Sequence, residues 1–91
     1  MQEKNISSFI EYIETKEDFV NFVNLLKNDF IKNKDNWENI TLFDYLNAIE
    51  AWTQDMEGYY KNTNQSIPKN IPWKIFADIL YAGTIYEWYT Q

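Results

Sequence analysis

The side chains of this chain that could do chemistry are carboxylates and aromatic hydroxyls. Asp55 and Glu57 flank Met56, and Asp44 stands earlier in the same stretch. Two carboxylates do acid–base work when their surroundings push their pKa values apart. These three have plainer readings. Asp44 sits where the start of a helix favours an anion, and Asp55 and Glu57 belong to a solvated face. There is no histidine, which removes the usual general base at neutral pH. There is no cysteine, so thiolate chemistry and a disulfide framework are excluded, and zinc lacks its usual ligands. Ser7, Ser8 and Ser66 lie in capping or loop settings, and Lys74 is the only base near Ser66 in sequence. Two glycines cannot build a phosphate-cradling loop. The acidic run Asn33-Lys34-Asp35-Asn36-Trp37-Glu38 lacks the glycine and ligand spacing of an EF-hand. The expectation is therefore a protein that is not an enzyme, with no catalytic residues, no metal and no cofactor.

What remains is an aromatic surplus. Four tryptophans, seven tyrosines and six phenylalanines make up 19% of the 91 residues. Rings build a core efficiently in a short chain, since each buries on the order of 150–250 Å². Tyrosine and tryptophan beside acids also mark protein-binding patches. Trp52 and Trp73 are expected in the core. Trp37, Glu38, Asn39, Asp55, Glu57, Tyr59 and Tyr60 lie near helix ends and loops, where binding residues gather, and form the candidate protein-binding rim. A rival reading places a small-molecule site or an enzyme pocket between helices, around Asp55, Tyr60 and Asp78. A third has Trp88 and Tyr89 closing a self-associated dimer.

Helices must position these residues. The stretch 37–60 is the organising one, with the other elements expected to pack on it. Thr41 is an N-cap, with Asp44 three residues on to complete a capping box. Leu42, Tyr45, Leu46, Ile49, Trp52, Thr53 and Met56 then recur at three- and four-residue steps, the stripe of a helix with one buried face. Gly58 is expected to end it as a left-handed residue. Trp37 is expected to fold down on the helix start like a hydrophobic staple. Thr15, with Asp18 three residues later, opens an earlier helix striped by Phe19, Phe22, Val23, Leu26 and Phe30. Val20 and Leu25 widen that stripe and imply more than one neighbour. Pro72 fits the first turn of a last helix striped by Trp73, Phe76, Ile79, Leu80, Gly83 and Tyr86. Gly83 inside it costs about 1 kcal/mol against alanine, and close approach of a helix under an aromatic ring would explain it. Ile67-Pro68 and Ile71-Pro72 are expected to hold the connection extended. Ser8 with Glu11 offers a capping box for a short N-terminal helix. An extended arm is the alternative there, and residues 1–5 are expected to fray. The periodicity thus gives an all-α fold: a single compact bundle of three main helices, about 16–32, 42–57 and 72–88, plus a short N-terminal helix, about 7–13.

The run WENITLFDYLNAIEAWTQDMEGYY, with Trp73, Phe76, Ala77, Asp78, Leu80, Ala82, Tyr86 and Glu87 after it, resembles a family of small bacterial domains of unknown function over residues 15–87. The resemblance implies a compact helical domain and carries no activity with it.

Charge narrows the partners. The net charge is −6, with 14 acids against eight lysines and no arginine. Phosphate binding needs a basic surface, so nucleic acid and anionic membrane are not expected partners. A basic protein is compatible. An immunity protein that neutralises a basic toxin is one concrete form, given the small size, the acidity and the missing catalytic groups. The N-terminus lacks a signal-peptide pattern and no apolar run reaches 18 residues, so a cytoplasmic location is expected.

Overall fold

A computed structural model describes residues 5–66 and 70–90. The expected fraying of residues 1–5 lies outside the described residues except at Asn5, which instead caps the first element, and the expected extended Ile67-Pro68 lies outside them too. Three α-helices follow in order: α1, Lys16–Asn33, α2, Leu42–Asn62, and α3, Trp73–Ile85. Short 3-10 helices precede α1 (Ile6–Tyr12), follow it (Lys34–Asn36) and close the chain (Trp88–Thr90). The fold is all-α, with no strand among the described residues.

Local chemistry accounts for the starts. The Thr15 hydroxyl accepts from Asp18 N–H at 3.1 Å, and the Asp18 carboxylate accepts from Thr15 N–H at 3.2 Å and Glu14 N–H at 3.0 Å. Those backbone bonds, Glu14 first, hold the Asp18 carboxyl below its ordinary value. At α2 half of the expected box forms. Thr41 Oγ1 accepts from Asp44 N–H at 3.1 Å, and Thr41 alone supplies the cap. Trp37 does fold onto the start of α2, its ring stacked on Tyr45 at 6.1 Å and edge-on to Phe30 at 5.1 Å. The N-terminal element is a 3-10 helix capped by Asn5, whose Oδ1 accepts from Ser7 N–H at 2.9 Å. Ser8 is not the cap, since its hydroxyl donates to Asn5 O.

The ends differ from the sequence expectation. Helix α2 runs through Gly58 and stops at Asn62. Its stop is a Schellman motif centred on Asn64, which takes the left-handed conformation at φ 60. Gln65 N–H donates to Tyr60 O at 2.8 Å and Asn64 N–H to Lys61 O at 3.2 Å. Gly58 is an ordinary helical residue with open space where a Cβ would stand. Gly58→Ala is expected to stabilise the fold by about 0.5–1 kcal/mol, because it removes unfolded-state freedom and meets nothing. A denaturant titration checks this by a raised midpoint at unchanged slope. Pro72 sits one residue before α3, as its N-cap. Helix α3 ends at Ile85, three residues short of the expected 88, because Tyr86 is extended and its neighbours' carbonyls bond elsewhere.

The hub is α3, not α2. It packs against α2, α1 and the N-terminal 3-10 helix, while α1 and α2 never bring a Cα within 8 Å of each other. Two core clusters form on its two sides. Ile10, Ile13, Phe22, Leu26 and Ala77 join the N-terminal element to α1 and α3. Trp52, Tyr60, Ile75 and Ala82 join α2 to α3. Small residues on α3 permit the approach: Ala77 is fully buried, and a Cβ on Gly83 would meet Tyr45 Cε1 at 2.7 Å. The expected close helix approach under an aromatic ring is this contact. Trp73, expected in the core, is 38% exposed and lies against the rings of Phe19 and Phe76.

Candidate functional site

The seven residues of the expected rim do not form one surface. Trp37, Glu38 and Asn39 stand before α2. Asp55, Glu57, Tyr59 and Tyr60 stand near its far end. Thr41 and Tyr59 are eighteen residues apart along the helix, about 27 Å at 1.5 Å per residue.

Two of the seven are interior. Asn39 is 2% exposed and serves as the C-terminal cap of α3. Its Nδ2 donates to Gly83 O at 3.0 Å and Tyr86 O at 2.8 Å. The backbone N–H groups of Glu38 and Asn39 both donate to Thr84 O, at 2.8 and 3.1 Å. A helix end leaves its last carbonyls without partners, and the 38–39 segment supplies them. Tyr60 is also 2% exposed, and its hydroxyl donates to Asp78 Oδ2.

The other five are at least partly accessible. Half-buried Trp37 donates from Nε1 to Asp29 Oδ2 at 2.7 Å. Glu38 accepts from the Tyr89 hydroxyl. That bond, with the nearby charges of Glu38, Glu87 and Asp44, raises Tyr89 to about 12. Asp55 Oδ2 accepts from Tyr86 Oη at 2.9 Å. Glu57 is exposed, and Tyr59 packs edge-on against Tyr60. As for the terminal aromatics, Trp88 is half-buried edge-on to Phe43, and Tyr89 is 57% exposed.

Of the rival trio, Tyr60 and Asp78 meet, and Asp55 is engaged with Tyr86. A recess of about 390 Å³ opens beside Asp78, walled by Glu11, Tyr59, Lys74 and Tyr81 among others. Burial raises the Asp78 carboxyl above its ordinary value of 3.8, against the opposing pull of the Tyr60 bond and Lys74. Burial, then the bond to Asp78, raises the Tyr60 hydroxyl. A carboxyl raised on folding binds its proton better in the native state. Its contribution to stability therefore falls as pH climbs from 3.8 through the higher folded value. Asp78→Asn keeps an acceptor for Tyr60 and removes this cost. It is expected to raise Tm by a few degrees at pH 7 and to make no gain near pH 3, which melts at the two pH values compare. Among the described residues, no group of three or more acids is placed to hold a metal ion, and no helix is long and apolar enough to cross a membrane.

The feature that sequence reasoning missed is a groove. Because α1 and α2 stand apart, the face of α3 between them is open. Val23, Phe30 and Ile31 wall one side, Tyr45 stands opposite, and Leu80 and Trp37 line the floor, enclosing about 360 Å³. The groove continues, past Phe30, Trp37 and Tyr45, into a smaller recess of about 200 Å³ bounded by Ile40, Thr41 and Leu42. Tyr45 is fixed at its centre by a bond from its hydroxyl to Leu80 O at 2.7 Å, and burial lifts that hydroxyl to about 12. Ile31 is 70% exposed and Leu42 73%. Leu46, one turn on, is also exposed. Contiguous exposed apolar surface on a small domain marks an interaction site. Little in the sequence signals it: Leu25, which widens the α1 stripe, lies beside Phe9 and Tyr12 of the N-terminal element, α1's second neighbour. Leu42 and Leu46 read there as core.

The profile of a family of unknown function (DUF7660) matches residues 15–87. No curated protein and no solved structure matches the chain. The match runs from the N-cap of α1, across the groove and the α2–α3 core cluster, to the segment that Asn39 caps, leaving out Ile10 and Ile13 of the other cluster, and the chain belongs to the DUF7660 family of unknown function.

Proposed function

We propose that this domain is a non-enzymatic protein-binding module and that the groove over α3 takes one amphipathic helix of another protein. The observation that carries the reading is that α1 and α2 bring no Cα within 8 Å of each other, so an apolar channel is left where a fourth helix of a bundle would lie. Helix-in-groove recognition uses such a channel, with apolar anchors at helical spacing. The shape favours a convex occupant. Two copies set face to face would enclose a void between two concave surfaces, and voids forfeit packing energy. Like charge of −6 on each copy opposes self-association as well. The same charge favours a partner that is basic overall.

The test is Ile31→Glu with Leu42→Glu. Both side chains are largely exposed, so the melt should stay within about 0.5 kcal/mol of the parent for each change. A protein captured stoichiometrically from host cells by the parent should be lost with this variant. It should be kept by Tyr12→Glu, a 70% exposed residue on the N-terminal element. Retention of the partner by the groove variant would refute the proposal. So would light scattering that finds a dimer dissolved by the variant, which would make the occupant a second copy.

A further inference from the structure

The groove has rims of opposite charge. Eleven residues carry a helix about 20° past whole turns and eighteen carry it to the same angle, at 100° per residue. Lys16, Lys27 and Lys34 therefore fall on one line along α1, Lys34 continuing it with helical backbone at φ −52, ψ −33. Lys27 lines the groove, and the Lys34 ammonium sits 5.1 Å from the centre of the groove-lining Phe30 ring. The α1 acids Glu17, Asp18 and Asp29 lie about 100° or more from that line. On α2 the pattern inverts. Leu42 marks the groove side, Leu46 follows it, and exposed Glu50 and Glu57 lie about 40° and 20° from Leu46. Lys61 ends that line in the last turn, about 20° from Glu50, and no lysine occurs in α2 before it. Helical spacing thus sets lysines along the α1 side of the groove and glutamates along most of the α2 side of an otherwise acidic protein.

Resting on the groove reading above, we propose that the occupant is an amphipathic helix with acidic residues along the edge facing α1 and basic residues along the edge facing α2, and that this division fixes the direction in which the helix lies. Turning a helix end for end in a groove exchanges its two edges. A helix with divided edges therefore meets complementary rims in one direction and like charges in the other. Like-charge contacts suppress the wrong arrangement.

Synthetic helical peptides test this on the full chain. All share one leucine face. One has glutamates on one edge and lysines on the other, a second has these edges exchanged, a third has glutamate on both, and a fourth has lysine on both. A spin label at each peptide N-terminus reports direction by broadening amide signals. At low salt the two divided peptides should bind about tenfold tighter than the uniform ones, an advantage that salt screens away. Their labels should broaden opposite ends of the groove, one near Leu42 and the other near Phe76. Lys27→Glu combined with Glu50→Lys should remove most of the directional preference, since Lys16, Lys34 and Glu57 keep their charges. Equal affinities for all four peptides, or equal broadening at both ends, would overturn the charge division and leave the groove standing. A lysine-only peptide that binds as tightly as the divided ones would overturn it too, since net charge alone would then be read. Absence of any shift at Ile31 and Leu42 with every peptide would overturn the groove reading and this inference together.

Discussion

Asn39→Ala is expected to cost about 3 kcal/mol. The side chain is 2% exposed and its Nδ2 holds two carbonyls, Gly83 O and Tyr86 O. Alanine removes both bonds and leaves Gly83 O facing a small void, while Tyr86 O keeps the N–H of Trp88 at 3.0 Å. The buried acceptor left without a partner costs about 1–3 kcal/mol and the second lost bond about 0.5–1.5 kcal/mol, and part of that returns if water enters. For a domain of this size about 3 kcal/mol lowers Tm by roughly 12–24 °C. Alanine alone does not separate the lost bonds from the lost volume, so the informative companion is Asn39→Asp. It has nearly the same shape and, when ionised, no donor. At pH 7 it should be at least as damaging as alanine, because a carboxylate would then face two carbonyl oxygens. Protonation restores one O–H donor, so Asn39→Asp should recover stability as pH falls while Asn39→Ala does not. If instead Asn39→Asp melts like the parent at pH 7, the two hydrogen bonds are not what holds the end of α3. Loss of this cap would also loosen the groove, since Trp37 and Ile40 belong to the same connection.

Local rules and long-range partners divide what could be read in advance. Thr15 and Thr41 were legible as caps because their partners lie three residues away. Gly83 was legible as a site of close approach because a helical glycine needs a reason. Asn39 was read as surface because its partners lie more than forty residues ahead. The end of α2 was misplaced for a related cause: Gly58 and Asn64 both suit a left-handed residue, and the buried Tyr60 at the end of the apolar stripe keeps the helix going past the first. Stripe width on α1 and α2 told how many side chains are apolar. It did not tell how many neighbours cover them, and here each helix has α3 on one flank and open groove on the other. Aromatic residues were harder still. Trp52 and Trp73 both fall on apolar stripes, and the first is buried while the second, in the opening turn of its helix, caps an aromatic cluster at the surface. The motif residues Trp37, Asn39, Thr41, Ala77 and Ala82 all serve the frame, which is why the family resemblance carried the fold and left the site unread.

Gly83→Ala is expected to destabilise by about 2 kcal/mol, the opposite sign from Gly58→Ala. Helix propensity alone would make the change favourable by about 1 kcal/mol. Packing opposes it. The new Cβ would stand 2.7 and 2.9 Å from Tyr45 Cε1 and Cζ, and 2.9 Å from Ile49 Cγ1. None of these atoms is the free end of a flexible chain. The Tyr45 ring is pinned at both faces of its motion, by the bond to Leu80 O and by the stacked ring of Trp37. Overpacking of this kind costs about 1–3 kcal/mol, occasionally more, and it must here exceed the propensity gain. A double-mutant cycle isolates the contact. In a Tyr45→Ala background the ring is gone, Ile49 can turn aside, and Gly83→Ala should become neutral or stabilising by up to about 1 kcal/mol. The coupling between the two positions should then be about 2 kcal/mol or more. Additive behaviour would mean that the ring yields in the parent, and the close approach of α2 to α3 would not depend on glycine. The groove shares this result, because Tyr45 forms its central wall. A parent domain that tolerated Gly83→Ala by moving Tyr45 would show the shift at Trp37 and Phe30, in the fluorescence of the first and the ring signals of the second.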